Sequence, residues 1–143
     1  MKAGTTQLSL VSLYRWLRRH PNAIIITDVK RRNVDALARI SKTAGVLGQR
    51  FIAQIYEPSE LEPVRALGFH KIILTLYRIN MDESQILTFL RNHKIFAITL
   101  SVRKAFAFFN LRNLKNTGVR LYVHTINHPK VLHYFRQLGV DGV

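Results

Sequence analysis

The chain has 143 residues, 48% of them hydrophobic, which is enough for one folded domain with its own core. The absence of cysteine excludes a disulfide framework, a thiolate zinc site and a cysteine nucleophile. A formal net charge of +14 favours an anionic partner, although basic residues that merely face water on helix surfaces would give the same charge. No apolar run approaches the roughly 18 residues of a membrane span and no signal-peptide pattern opens the sequence, so we expect a soluble, cytoplasmic protein.

The predicted elements begin with an amphipathic helix over residues 9–19. Six stretches of strand composition follow, at residues 23–27, 51–56, 71–76, 95–100, 119–125 and from 140 onward. Several of them are continuous apolar runs, which are typical of strands buried on both faces of a parallel sheet.

Helical segments with start signals lie between these strands. The start signals are Asn33, Ser59 with Glu62, Asp82 with Gln85, and Asn127, where each of the two pairs has the spacing of a capping box. The alternation of strand and helix predicts an α/β fold, specifically an incomplete (β/α)8 TIM barrel with about six parallel strands. No linker divides residues 1–143, so a single domain is expected.

In such a fold the functional site lies at the carboxyl ends of the strands. The polar residues at these ends are Asp28, Lys30, Gln54, Glu57, Thr75, Arg78, Thr99, Ser101, His124, Thr125 and Asn127. The Asp28 carboxylate is a ligand type that Mg²⁺ or Ca²⁺ prefers, and Lys30 can contact a phosphate oxygen. The simpler alternative is an ordinary salt bridge between them. Arg31 and Arg32 precede the amino end of a helix, which disfavours cations; a bound anion would relieve this, unless both side chains simply extend into water.

Gln54 and His124 are polar interruptions of apolar strands, and buried polar groups need partners. Each either contacts a substrate or bonds to a neighbouring strand, and a lone strand histidine is more often structural. Asn127 is best explained as a helix cap. The sequence has no G-x-S-x-G, P-loop or G-x-G-x-x-G motif, so a serine hydrolase, a nucleotide hydrolase and a dinucleotide-binding protein are not expected. It has no RNP-type or C-x-x-C motif either, so specific nucleic-acid binding is not expected.

Four segments stand in a distinctive order: 26–30 (Ile-Thr-Asp-Val-Lys), 53–58 (Ala-Gln-Ile-Tyr-Glu-Pro), 121–129 (Leu-Tyr-Val-His-Thr-Ile-Asn-His-Pro) and 138–143 (Leu-Gly-Val-Asp-Gly-Val). Together they resemble the glycerophosphodiester phosphodiesterase family. The first is similar to the family's Glu-x-Lys strand end and the second to its Gln-Ser-Phe-Asp-Pro segment. The last two are similar to its closing signature, an aromatic-Thr-Val-Asn strand, a helix and Leu-Gly-Val-Asp-Gly-Ile.

The resemblance implies a metal-dependent phosphoric diester hydrolase of lipid metabolism, which converts glycerophosphodiesters to glycerol 3-phosphate and an alcohol. It implies Asp28 as a ligand of Mg²⁺ or Ca²⁺ and Lys30 as a contact of the substrate phosphate. Gln54, His124 and Asn127 would lie around the same pocket. Residues 1–143 would then be the last six βα units of that domain, ending within the final strand.

The chain also departs from the family pattern. The family's opening His-Arg-Gly, its later His-Asp and its Glu-x-Asp metal pair do not occur in these 143 residues. Asp28 replaces the usual Glu, and His124 stands where Trp is common. No catalytic histidine is therefore assigned, and negligible diesterase activity is expected of this chain alone. The alternative is a non-catalytic protein that binds a phosphate ester or an anionic surface such as a membrane, and open sheet edges would favour oligomers.

Overall fold

The computed structural model of the protein describes residues 7–107 and 110–143. Five parallel strands follow one another in the sheet in chain order. They are β1 (Ile25–Ile26), β2 (Phe51–Ile55), β3 (Ile72–Thr75), β4 (Ala97–Ser101) and β5 (Arg120–His124). The curled sheet is an incomplete TIM barrel, which confirms the predicted fold class.

Helices connect the strands and cover the outer face of the sheet. They are α1 (Leu10–Arg19), α2 (Asn33–Ala44), α3 (Leu61–Ala66), α4 (Glu83–Asn92), α5 (Val102–Ala107), α6 (Leu111–Lys115) and α7 (Pro129–Gln137). Short 3-10 turns occupy Gly45–Arg50, Pro58–Glu60 and Leu76–Arg78. Within the described ranges, no helix combines the length and the apolar character needed to cross a bilayer.

The two faces of the sheet differ because successive side chains along a strand point to opposite sides. The outer face supplies the main core, in which Ile55, Leu74 and Leu100 are completely buried against the helices. On the inner face, Ile52, Ile73 and Ala97 form a small separate apolar cluster. Polar residues replace these apolar ones further along the same strands, so the carboxyl ends of the inner face carry polar groups.

The sixth predicted strand is present as a single bridge. Gly142 pairs in parallel with Tyr122 of β5, and the Val123 N–H donates to the Gly142 carbonyl at 3.1 Å. A Cβ on Gly142 would lie 2.8 Å from the Tyr122 ring, so the close approach of the two segments requires glycine.

Of the two predicted capping boxes, one is confirmed and one is wrong. Asp82 and Gln85 cap each other's backbone N–H groups at the start of α4. The box predicted at Ser59 lies instead at Glu57 and Glu60, at the start of the preceding 3-10 turn. The Glu60 carboxylate accepts the backbone N–H groups of Tyr56 and Glu57 at 2.7 and 3.2 Å, because the turn begins at Pro58, one residue before Ser59.

Two predicted caps are displaced by one residue. The N-cap of α2 is Arg32, in a left-handed conformation with a φ of 49°, and Asn33 is the first helical residue. The Arg32 guanidinium pairs with Asp35 at 2.8 Å, so a carboxylate of the first turn offsets the charge conflict predicted there. The N-cap of α7 is His128, whose ring accepts a backbone N–H, so the prediction that Asn127 caps this helix is wrong.

Candidate functional site

A cavity of about 500 Å³ opens at the carboxyl ends of the strands, where the fold class predicts a site. Its lining residues are Ile26, Asp28, Lys30, Gln54, Thr75, Tyr77, Thr99, Ser101 and His124. They include four of the five residues that the sequence nominated. The fifth, Asn127, is exposed beyond the end of β5 and does not line the cavity.

The strand register brings the hydroxyl groups of this cavity together. Thr75 of β3 is paired with Thr99 of β4, and their hydroxyls are hydrogen bonded at 3.2 Å. Ser101, at the end of β4, is paired with His124 at the end of β5. The floor of the cavity thus combines three hydroxyls and an imidazole, all of which can hydrogen bond to an anion or an alcohol.

Asp28 and Lys30 stand at the rim, just after β1. The Lys30 Nζ lies 3.6 Å from one Asp28 carboxylate oxygen, and both side chains are more than half exposed, at 55% and 57%. This is the salt bridge considered as the simpler alternative. An exposed ion pair stabilises a protein by only about 0–1 kcal/mol, so Lys30 can leave Asp28 for a ligand at small cost.

Tyr56 holds the other oxygen of Asp28. The buried Tyr56 hydroxyl donates a hydrogen bond to Asp28 Oδ1. Burial raises the pKa of the Tyr56 phenol, and the hydrogen bond to the Asp28 carboxylate raises it further. Tyr56 therefore stays protonated at neutral pH and acts as a fixed donor that orients the carboxylate.

The backbone at Tyr56 is held by hydrogen bonds that involve Asn33 and Glu60. The Asn33 side-chain amide donates to the Gln54 carbonyl at 2.9 Å and to Glu60 at 3.2 Å. The other Glu60 oxygen accepts the Tyr56 backbone N–H at 2.7 Å. These bonds fix the end of β2 to the start of α2, which explains why Asn33 is buried and used here instead of as a helix cap.

His124 forms an aromatic wall of the cavity with Tyr77. The two rings meet edge to face, with centroids 6.2 Å apart. Burial lowers the pKa of the His124 imidazole. At neutral pH the ring is therefore neutral, and it contributes a hydrogen bond instead of a positive charge.

Two other cations near the site have structural partners. The Arg78 guanidinium lies over the rings of Tyr56 and Tyr77, 5.6 and 5.2 Å from their centroids. The Lys104 ammonium donates to the carbonyls of Leu76 and Ile79 at 2.6 and 2.7 Å, and burial lowers its pKa. Among the residues that line the cavity, Lys30 is accordingly the one lysine or arginine.

The described residues do not complete a metal site around Asp28. Both of its oxygens are engaged, one by the Tyr56 hydroxyl and the other by the Lys30 ammonium. In residues 7–107 and 110–143 no group of three His, Cys, Asp or Glu side chains converges to hold an ion. A hard divalent cation needs about six oxygen ligands, so metal binding at Asp28 stays a prediction that requires further ligands.

The sequence analysis missed Tyr56, which was counted among the apolar residues of its predicted strand, and Tyr77, which lies one residue beyond the predicted strand 71–76. A usable signal existed for Tyr77, which is two residues beyond Thr75 and so continues the inward-facing positions of β3. Thr75, Thr99 and Ser101 were recognised as strand-end polar residues, and the structure places all three in the cavity.

The fold is similar to solved phosphodiesterases. A glycerophosphodiester phosphodiesterase from Parabacteroides distasonis matches 93% of this chain with a TM-score of 0.64 and 16% sequence identity. The PaMucR phosphodiesterase, in a complex with c-di-GMP, matches 90% with a TM-score of 0.64 and 10% identity. The chain spans 57% and 62% of the lengths of those two chains.

No family model and no curated protein matches the sequence. The structural likeness therefore shows the fold alone: an incomplete TIM barrel whose parallel strands and helices are arranged as in part of these two solved structures.

Proposed function

We propose that the cavity binds the phosphate of a glycerophosphodiester, with Lys30 as the principal phosphate contact. The observation that carries this proposal is the position of Lys30, a half-exposed ammonium that is the one lysine or arginine lining a cavity whose other polar groups are mostly hydroxyls, with one carboxylate, Asp28, beside it. A charge-assisted hydrogen bond from Lys30 would orient the phosphate towards Thr75, Thr99 and Ser101. The neutral ring of His124 and the ring of Tyr77 would contact the alcohol portion.

We further propose that the 143-residue chain binds this ligand without hydrolysing it. Metal-dependent cleavage of a phosphodiester needs a cation that polarises the phosphate and a positioned acid and base. The cavity offers one carboxylate, already bonded to Tyr56 and Lys30, and one neutral imidazole. Hydrolysis with Mg²⁺ or Ca²⁺ at Asp28 would need an acid–base pair and metal ligands in addition to these residues.

The test is calorimetric titration with glycerophosphocholine and with glycerol 3-phosphate at low salt. Lys30→Met should weaken binding of both ligands on the order of tenfold, the value of a charge-assisted bond at a partly solvated site. Lys42→Met removes the same charge from the exposed side of α2 and should leave the affinity unchanged.

Two results would contradict the proposal. The first is an equal affinity of the wild type and Lys30→Met for the ligands, which would show that Lys30 does not contact the phosphate. The second is turnover of glycerophosphocholine, with added Mg²⁺ or Ca²⁺, at a rate comparable to that of a complete enzyme, which would show that the chain supplies its own catalytic groups.

A further inference from the structure

The exposed side of α1 carries large apolar residues next to arginines. Leu8, two residues before the first residue of α1, and Val11 are each 66% exposed, and Trp16, whose ring stacks on His20, is 38% exposed. The opposite side of the helix packs into the core through Tyr14 and Leu17. Removing leucine, valine and tryptophan side chains from water lowers the free energy, so this surface is suited to an apolar or interfacial environment.

The same surface is strongly basic. Arg15, Arg18 and Arg19 are all exposed on α1. No aspartate or glutamate occurs in the first 27 residues of the sequence, so no acidic side chain of α1 neutralises them. Arginines at the water-facing side of an amphipathic helix are the typical partners of anionic surfaces.

Helix α2 extends this basic surface. It lies beside α1, where the Tyr14 hydroxyl is hydrogen bonded to Thr43 at 2.7 Å and Leu10 lines a groove that also contains Arg39. Arg39 and Lys42 are exposed on α2. We name the set of exposed residues Leu8, Val11, Arg15, Trp16, Arg18, Arg19, Arg39 and Lys42 the α1–α2 face.

We propose that the α1–α2 face docks on an anionic membrane surface. The arginines and the lysine would contact lipid phosphates, while Leu8, Val11 and Trp16 enter the boundary between head groups and acyl chains. Binding to a nucleic acid would use the positive charge but leave the exposed apolar residues without a role. The combination of the two residue types therefore favours a membrane over a polyanion in solution.

The chain carries its own probe, because Trp16 is the single tryptophan of the sequence and lies on α1. The protein is mixed with vesicles of phosphatidylcholine alone and with vesicles that contain phosphatidylglycerol in addition. We expect flotation with the anionic vesicles only, together with a blue shift of the Trp16 fluorescence. Equal binding to both kinds of vesicle, or binding without a change in emission, would overturn the proposal.

Matched variants separate a specific face from the overall charge. The triple variant Arg15→Gln, Arg18→Gln, Arg19→Gln should weaken partition on the order of a hundredfold, from the contribution of each cation near an anionic surface. The control Arg91→Gln, Lys94→Gln, Arg112→Gln removes three exposed charges outside the α1–α2 face and should change partition far less. An equal loss in the two triple variants would show non-specific attraction and contradict the proposal.

The apolar contribution is tested at constant charge. Leu8→Ser combined with Val11→Ser should weaken partition on the order of tenfold and reduce the fluorescence shift. Both residues are exposed, so folding should be unaffected, which circular dichroism verifies. Unchanged partition of this variant, or tighter binding of the wild type to polyadenylate RNA than to anionic vesicles, would assign the face to electrostatic polyanion binding and overturn the membrane proposal.

Discussion

In the function proposed above, Lys30 is the residue that contacts the phosphate, and its surroundings leave its ammonium available to a ligand. Its partner Asp28 is anchored by Tyr56, so the carboxylate stays in place when the ammonium moves to a ligand. The neighbouring cations Arg78 and Lys104 are held by aromatic rings and by backbone carbonyls. Lys30 is therefore the cation of this region that can move to a ligand, whereas Arg78 and Lys104 already have partners in the fold.

The partly buried imidazole of His124 makes the stability of the fold depend on pH. Burial places its folded pKa below the unfolded value of about 6.5, so the unfolded chain binds more protons as the pH falls. The stability that depends on neutral His124 is complete above about pH 6.5 and is lost as the pH falls through the folded pKa. The free energy of unfolding in urea, measured between about pH 8 and pH 5, should decline in wild type and less in His124→Gln.

The control for this prediction is His70→Gln, which removes an exposed imidazole. In this variant the free energy of unfolding should decrease with falling pH as much as it does in the wild type. The same pH dependence in both variants would contradict the assignment of the effect to burial of His124.

Four residues that line the candidate site could be predicted from the sequence, but the tyrosine that holds Asp28 in place could not. Asp28, Lys30, Gln54 and His124 were recognisable because a polar residue at the end of an apolar strand is unusual. Tyr56 was not, because a tyrosine suits a buried strand whether or not its hydroxyl has a partner. Its role depends on Asp28, 28 residues earlier in the chain, and such a distant contact leaves no local pattern.

At the scale of elements, the bridge after α7 depends on one carboxylate. Burial alone would raise the pKa of Asp141, but hydrogen bonds from the Lys115 ammonium and the Leu121 N–H, each 2.7 Å long, lower it. These bonds tie the segment that follows α7 to both α6 and β5.

Asp141→Asn should therefore destabilise the fold by about 1–2 kcal/mol, a modest value because Lys115 and Asp141 are 28% and 34% exposed. Since the folded pKa is lowered, this stability is present above the unfolded value of about 3.9 and is lost as the pH falls through the folded pKa. Urea unfolding near pH 7 and again near pH 3 measures both effects. Asp35→Asn, which breaks only the exposed pair with Arg32, is the control, and an equal loss in the two variants would refute the prediction.

Element positions were predictable because hydrophobic periodicity is a local property, whereas helix starts depended on competition between neighbouring caps. The box at Asp82 and Gln85 has no rival and forms as predicted. Near Pro58 and at the start of α7, backbone N–H groups bond to Glu60 and to His128 instead of to the predicted Ser59 and Asn127. The last strand is shorter than predicted because its pairing ends with the bridge at Gly142.

At the scale of the whole molecule, the fold places two surfaces of different character apart. The cavity at the carboxyl ends of the strands has Lys30 as its one lining lysine or arginine, whereas the basic residues of the α1–α2 face lie on outer helices. The class of fold could be predicted because alternating strand and helix patterns admit few arrangements. The identity of a substrate or a metal could not be predicted, because binding depends on side chains that converge from separate strands.

Amide NMR during titration with glycerol 3-phosphate will show whether the carboxyl-end cavity binds a phosphate ester. We predict saturable shifts confined to residues at the ends of the strands, including Lys30, Tyr77, Ser101 and His124, with the α1–α2 face unaffected. Shifts that spread over the basic helices without saturating, while the strand ends stay unchanged, would contradict binding in the cavity.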